Sequence, residues 1–191
     1  NKPHTLFQQD FIMTKIALII GSLSRASINR TVAQHLAAQA PEGVVVEEVQ
    51  IGDLPLYTQD LDSESIPAYE RVRAQLQAAD AVLIVSPEHN RSMPAAVKNL
   101  LDIASRPAGK SLWGGKKTAV ITASPGSYGG INSGLHLRQS LQAMSADVMI
   151  APEVFLSRAH TALADGQVSD ARTAAFLNKF AAAFYAWAQA E

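Results

Sequence analysis

Ile16-Ala-Leu-Ile-Ile20 runs directly into Gly21-Ser-Leu-Ser-Arg-Ala-Ser-Ile-Asn29, after which Val32, Leu36, Ala37 and Ala40 recur at helical spacing. An unbroken apolar run of this length reads as a strand covered on both faces. The later apolar residues share one face of a helix, and the polar stretch between is a strand-to-helix turn. Strand, polar loop and helix in that order open a parallel α/β unit.

Working outward, similarly near-continuous strand-like runs recur at Val44 to Val49, Ala81 to Ser86 and Thr118 to Ala123, as expected of strands covered on both faces, with a weaker pair around Val148 to Ile150 and Val154 to Leu156. Helical patterns alternate with them. Val72, Leu76 and Ala79 mark one; Val97, Leu100, Leu101 and Ala104 another; Leu137, Leu141 and Met144 a fourth; Phe176, Phe180, Ala183, Phe184 and Trp187 a fifth. Strand then helix, repeated, predicts a doubly wound α/β fold with right-handed crossovers. With five parallel strands and helices on both faces, the flavodoxin-like order 2-1-3-4-5 is expected. The longest irregular stretches are Gly52 to Pro67 and Leu156 to Ser169.

A chain of 191 residues, 48% hydrophobic, supports one well-buried core, so residues 13 to 191 are expected to form a single domain. Residues 1 to 12 lack periodicity and read as an N-terminal extension or a cloning remnant. Sixteen basic against seventeen acidic residues leave a formal charge of -1, without the excess that nucleic acid or an anionic membrane would require. No stretch approaches the roughly 18 consecutive apolar residues of a membrane span, and no signal-peptide core is visible; a cytoplasmic location is the expectation. The absence of cysteine removes disulfides, thiolate nucleophiles and Cys-based metal sites. Five scattered histidines lack ligand spacing, so no metal is expected.

Ligands of open α/β sheets sit beyond the carboxyl ends of the strands, near the reversal of winding. That rule selects the loops after strands one, three and four: Gly21 to Asn29, Pro87-Glu-His-Asn-Arg-Ser-Met-Pro94, and Ser124-Pro-Gly-Ser-Tyr-Gly-Gly130. The first offers the hydroxyls of Ser22, Ser24 and Ser27, the Asn29 amide and the Arg25 guanidinium at the start of a helix. These donors suit a phosphate; the helix dipole adds about 0.3 to 1 kcal/mol for an anion, so hydrogen bonds supply the rest. A plain helix cap would need only Ser27 or Asn29. In the second loop Glu88, His89 and Asn90 can edge a flat heterocycle, or stand as solvated side chains. In the third, Gly126, Gly129 and Gly130 permit close backbone approach, or form an ordinary turn. Gly-x-Gly-x-x-Gly, a P-loop after a strand, Gly-x-Ser-x-Gly and His-Glu-x-x-His are all absent.

These three loops resemble those of the NAD(P)H-dependent FMN reductases of flavodoxin-like fold, which include quinone, chromate and azo-dye reductases. Members carry Gly-Ser-x-Arg-x-x-Ser-x-Asn, Pro-Glu-Tyr-Asn-x-Ser-x-Pro continuing into Leu-Lys-Asn-x-x-Asp, and Ser-x-Gly-x-x-Gly-Gly. The counterparts are Gly21 to Asn29, Pro87 to Pro94 with Val97-Lys-Asn-Leu-Leu-Asp102, and Ser124 to Gly130. Two positions depart: Ser24 followed by Arg25 replaces the usual Arg, and His89 replaces the Tyr. The resemblance implies that Ser22, Ser24, Arg25, Ser27, Ile28 and Asn29 bind the FMN phosphate end, that Pro87, Glu88, His89 and Asn90 flank the isoalloxazine, and that Ser124, Gly126, Gly129 and Gly130 approach it from the other side. It implies hydride transfer from NADPH or NADH to flavin N5 and on to a quinone-like or other small acceptor by a ping-pong scheme, with no catalytic side chain, because the cofactor carries the chemistry. It also implies a homodimer or homotetramer, for which Tyr57, Leu61 and Trp113 suit an interface, unless they pack under their own loops. Two other readings stand against it: a flavodoxin-like FMN electron carrier without pyridine-nucleotide turnover, and a non-flavin phosphate-sensing module.

Overall fold

The computed structural model describes residues 13–190. Residues 1–12, read above as an extension, lie outside the described residues. Five strands β1 (Thr14–Ile20), β2 (Val44–Glu48), β3 (Ala81–Ser86), β4 (Lys117–Ala123) and β5 (Asp147–Val148) pair in the order β2-β1-β3-β4-β5, all parallel, as the alternating pattern predicted. Helices α1 (Ile28–Ala37) and α5 (Ala171–Gln189) cover one face; α2 (Pro67–Ala78), α3 (Ala95–Ala104) and α4 (Ile131–Ala143) cover the other. Alternate residues of each central strand feed the two cores. Ile16, Leu18, Leu83 and Ile121 pack toward α1 and α5; Ala17, Ile19, Ile84 and Val120 pack toward α2, α3 and α4. This double covering is why these strands read as continuous apolar runs.

Three expectations need correction. β2 is an edge strand, so it alternates rather than being covered throughout, and Val45 is 45% exposed. The weak pair of runs forms one broken lane: β5 pairs with the start of β4, and β6 (Val154–Leu156) pairs with its end. Ile150, assigned to a strand, falls in the break and is exposed. In α5 the buried stripe is Leu177, Phe180, Ala181, Phe184, Tyr185 and Ala188, which leaves Phe176 exposed about 100° away around the helix. The stretch before α5 also holds a two-stranded hairpin, β7 (Leu163–Ala164) with β8 (Gln167–Val168), turned by Asp165 and Gly166 at positive φ.

Trp113 is almost wholly buried, and its indole N–H donates to the Leu101 carbonyl at 3.1 Å. Leu61 and Tyr57 pack against the same core, with the Tyr57 hydroxyl on Asp62. All three therefore pack within their own chain.

Several helices end on cations supplied by other elements. Lys116 Nζ donates to the Ala79 carbonyl after α2, Arg73 donates to the Ile103 carbonyl at the end of α3 and to the Arg106 and Lys110 carbonyls of the loop that follows, and Lys117 Nζ donates to the Trp187 and Ala190 carbonyls at the end of α5. Each places positive charge near the negative end of a helix dipole. Arg30 in α1 makes a bidentate pair with Glu48 of β2, both contacts at 2.8 Å, and these hydrogen bonds hold the Glu48 carboxyl below its usual range.

Tyr185 joins the two helices of one face through its hydroxyl, which donates to the Leu36 carbonyl at 2.8 Å. Burial pushes its phenol up to about 12. An unfolded phenol ionises near 10, so the unfolded chain releases this proton first as pH rises. Tyr185 therefore stabilises fully below pH ~10, and the contribution fades as pH climbs toward ~12. The parent is expected to lose about 1.4 kcal/mol by pH 11 through this group alone. Tyr185→Phe should start about 1 kcal/mol lower at pH 8 and lack that part of the alkaline slope. Chemical denaturation at pH 8, 10 and 11 reads this out; identical slopes for the two proteins would exclude it.

Candidate functional site

Register puts the three selected loops on one level. Ile20 pairs with Val85, and Ser86 with Thr122, so Gly21, Pro87 and Ser124 leave adjacent strands side by side. The N-termini of α1, α3 and α4 face this end, bringing unpaired N–H groups and partial positive charge to one edge.

At Gly21 the backbone passes so close to the next strand and helix that a Cβ would lie 2.6 Å from Ser86 Oγ and 2.9 Å from Val97 Cγ2. Beyond it, Ser22 is half-buried, and Ser24 and Arg25 are exposed. Ser27 is the N-cap of α1: its hydroxyl oxygen accepts from Arg30 N at 3.0 Å, and its carbonyl accepts from Thr31 N. The next two N–H groups, of Ile28 and Asn29, precede the first helical hydrogen bond and face out of the helix end. Ser27 thus performs the capping role, while its hydroxyl proton stays free to donate.

Asn29 is 3% exposed, and its Nδ2 donates to the Ala123 carbonyl at 3.1 Å, tying the first turn of α1 to the end of β4. Beyond that bond, Asn29 offers a ligand an acceptor. That atom, Oδ1, is buried and has no protein partner. The two residues flanking the loop's centre point apart. Ser24 lines a cleft with Gly21, Ser22, Leu23, His89, Pro94, Ala95 and Ala96. Arg25 lines a groove on the other side of α1, beside Ser27, Arg30 and the β7–β8 turn.

The second loop is tighter than its sequence announces. His89 and Ser92 exchange both backbone hydrogen bonds at 2.9 Å, with Asn90 (φ 48) and Arg91 (φ 66) both left-handed between them. This is the geometry of a type I′ turn, here without glycine. Glu88 reaches across to α4, where one oxygen accepts from Asn132 N at 2.9 Å and Ser133 N at 3.3 Å, capping that helix. Ser92 Oγ meets His136 Nδ1 at 3.0 Å. Loop two is therefore fastened to α4 at both ends, while the exposed His89 looks into the cleft.

In the third loop, Ser124 Oγ accepts from Gly126 N at 3.0 Å, and Gly129 and Gly130 adopt φ of 62° and 78°. Gly129 is the constrained one: a Cβ there would lie 2.5 Å from the Phe155 carbonyl oxygen. Its own carbonyl accepts from Thr122 Oγ1 at 2.7 Å. The Arg91 guanidinium lies 4.9 Å from the centroid of the Tyr128 ring, closing the gap between loops two and three.

All fourteen predicted positions lie in the three loops at this end of the sheet, but Arg25 turns to the groove on the other side of α1, and Glu88, Ser27 and the Asn29 amide have partners within the protein. Asn132, Ser133, Arg91 and Tyr128 join the site without having been singled out. The turn that carries Arg91 gives one local hint, Asn90, because asparagine tolerates left-handed backbone. The donor set fits a phosphate at the α1 terminus, and the orphaned Asn29 Oδ1 fits a hydroxyl-bearing chain next to it, as FMN would supply. Among the described residues no helix is long and apolar enough to cross a membrane, and no cluster of three or more His, Asp or Glu is placed to hold a metal.

Residues 14–161 match the family described as NADPH-dependent FMN reductase. The chain is 42% identical to a quinone reductase of Pseudomonas putida over 173 residues, covering 90% of this chain and 93% of the relative. It is 40% identical to a 2-hydroxy-1,4-benzoquinone reductase of a Burkholderia species over 174 residues, covering 91% and 95%. Among solved structures it resembles the flavoenzyme NAD(P)H:(acceptor) oxidoreductase FerB of Paracoccus denitrificans, with a TM-score of 0.85, 35% identity and coverage of 93% and 98%.

Proposed function

The chain belongs to the NADPH-dependent FMN reductase family, and on that premise we propose that its three-loop edge holds FMN and serves a quinone-like acceptor. The observation that carries this is the α1 terminus, where the Ile28 and Asn29 N–H groups stand unpaired beside the Ser27 cap, in the same loop as the hydroxyls of Ser22 and Ser24. Those donors bind the phosphate. Arg25 adds charge from the outer groove, and Asn29 Oδ1 accepts from the ribityl chain. Pro87, Glu88, His89 and Asn90 hold one side of the ring system, where Glu88 acts by fixing the loop on α4. Ser124, Gly126, Gly129 and Gly130 hold the other with backbone groups.

When bound, FMN supplies the redox chemistry, taking hydride from NADPH or NADH and passing it to the acceptor. The protein's part is to bind and orient. One cleft, bounded by Ser24, His89 and Pro94, opens beside these loops, and its use by nucleotide and acceptor in turn is the proposed basis of a ping-pong order. No side chain is assigned to acid, base or nucleophile work. The domain reading, one unit over residues 13 to 191, is supported by two cores that share a single sheet. A homodimer or homotetramer is part of the proposal, supported by the exposed apolar side chains Leu56, Leu135 and Ile150. A cytoplasmic setting follows from the supply of reduced nucleotide.

Purified protein reconstituted with FMN should be yellow. Under anaerobic conditions NADPH or NADH should bleach it within the turnover time, and a benzoquinone should restore the colour. Stable flavin that neither nucleotide bleaches would instead indicate an electron carrier. Protein that stays colourless after FMN would overturn the site.

A further inference from the structure

Arg91 occupies a position its side chain does not favour. It sits at φ 66 in the turn between His89 and Ser92, where glycine or asparagine would be strain-free. Its guanidinium is spent on no ion pair among the described residues. The nearest carboxylate of its own loop, Glu88, is turned away onto the N–H groups of Asn132 and Ser133. What holds Arg91 is the Tyr128 ring, 4.9 Å from the guanidinium carbon and 66% exposed. The turn beneath it is pinned by the His89–Ser92 pair and by Ser92 on His136. A strained, rigidly mounted and unneutralised cation thus bridges loops two and three, the two loops assigned to the flavin ring.

The co-substrates that come to the ring held between those loops differ in charge. A pyridine dinucleotide carries a diphosphate, and a benzoquinone is neutral. FMN brings its own phosphate, but that end is met at the α1 terminus by loop one. Arg91 is left for a second anion.

We propose that Arg91, steadied on Tyr128, contacts the diphosphate of NADPH or NADH at the mouth of the site, so that it strengthens nucleotide binding without affecting a neutral acceptor. The inference rests on the FMN reductase reading and adds a specificity residue to it. Arginine suits the task because its planar fork pairs with phosphate oxygens while its face stacks on an aromatic ring.

Arg91→Gly tests this cleanly, because glycine accepts the backbone at this position and the turn is retained. Calorimetric titration of the FMN-loaded protein with NADP+ should show binding about tenfold weaker in the variant, with a flatter dependence on salt. In steady state, the KM for NADPH and for NADH should rise by a similar factor, while the KM for a neutral benzoquinone stays within about twofold. Arg91→Lys should fall between, since it keeps the charge and loses the fork. Unchanged NADP+ affinity in Arg91→Gly would overturn the proposal. So would an equal rise for the quinone, which would make Arg91 a purely structural part of the loop. If the FMN-loaded parent is bleached by neither nucleotide, the reductase reading fails and takes this inference with it; a bleachable parent with an indifferent variant refutes the inference alone.

Discussion

Gly129→Ala is expected to abolish stable flavin binding and to lower the unfolding free energy by about 4 kcal/mol. Two terms add. A left-handed φ of 62° disfavours any residue with a Cβ by about 1 to 2 kcal/mol. The Cβ would also stand 2.5 Å from the Phe155 oxygen, 2.7 Å from its carbonyl carbon and 2.9 Å from Ser157 N. These are backbone atoms of the lane beside β4, so no rotamer change relieves the clash. Either loop three lifts off or β6 shifts, and the Thr122 hydroxyl bond to the Gly129 carbonyl goes with it. Denaturant unfolding and flavin content of the purified protein are the measurements. A Gly129→Ala variant of parental stability that retains FMN would refute this reading of loop three. Gly126 is the internal control: it is exposed, its nearest neighbour would be Ser124 Oγ at 3.4 Å, and Gly126→Ala should cost well under 1 kcal/mol.

Asn29→Ala should weaken FMN binding about 100-fold, against less than about fivefold for His89→Tyr. The asparagine loss removes the donor to Ala123, leaving a buried carbonyl unpaired, and removes the Oδ1 acceptor as well. Loops one and three then lose their direct tie below the proposed phosphate site. His89, by contrast, holds its turn through backbone groups that tyrosine retains, and its exposed side chain affects only the shape of the cleft. Fluorescence titration of apoprotein with FMN separates the two, and riboflavin in parallel shows whether the loss tracks the phosphate. Asn29→Ala at parental affinity would count against the site as drawn.

The architecture is legible in the sequence because its signals are periodic. Continuous apolar runs identify doubly covered strands, and once the strand order is known, the rule for open sheets selects the three loops. Partnerships are not legible, because they are made across distance. Glu88 caps a helix that begins forty-three residues later, and Asn29 bonds to Ala123. Neither contact leaves a local pattern. Ser27 is ambiguous for another reason: its capping role and its proposed phosphate role predict the same residue at the same place. In α5, Phe176 and Leu177 are adjacent, and a stripe drawn through either passes through Phe180 and Phe184, so periodicity alone does not tell which of the two is buried. The β7–β8 hairpin is a different case. Its signal, Asp165-Gly166, is the usual type I′ pair and stands in the sequence to be read.

The broken lane of β5 and β6 has a consequence for behaviour in a crowded cell. A sheet this apolar is hazardous wherever it ends, because an open strand invites another chain to add to it. On one side the edge is divided into pieces of two and three residues by the Met149 to Glu153 detour, too short to template an extra strand. On the other, β2 spans five residues and closes on Glu47 and Glu48, charges that oppose stacking. This chain's sheet is thus protected from fibrous self-assembly at both margins. Restoring an uninterrupted, uncharged edge would be the quickest way to turn this protein into an aggregate.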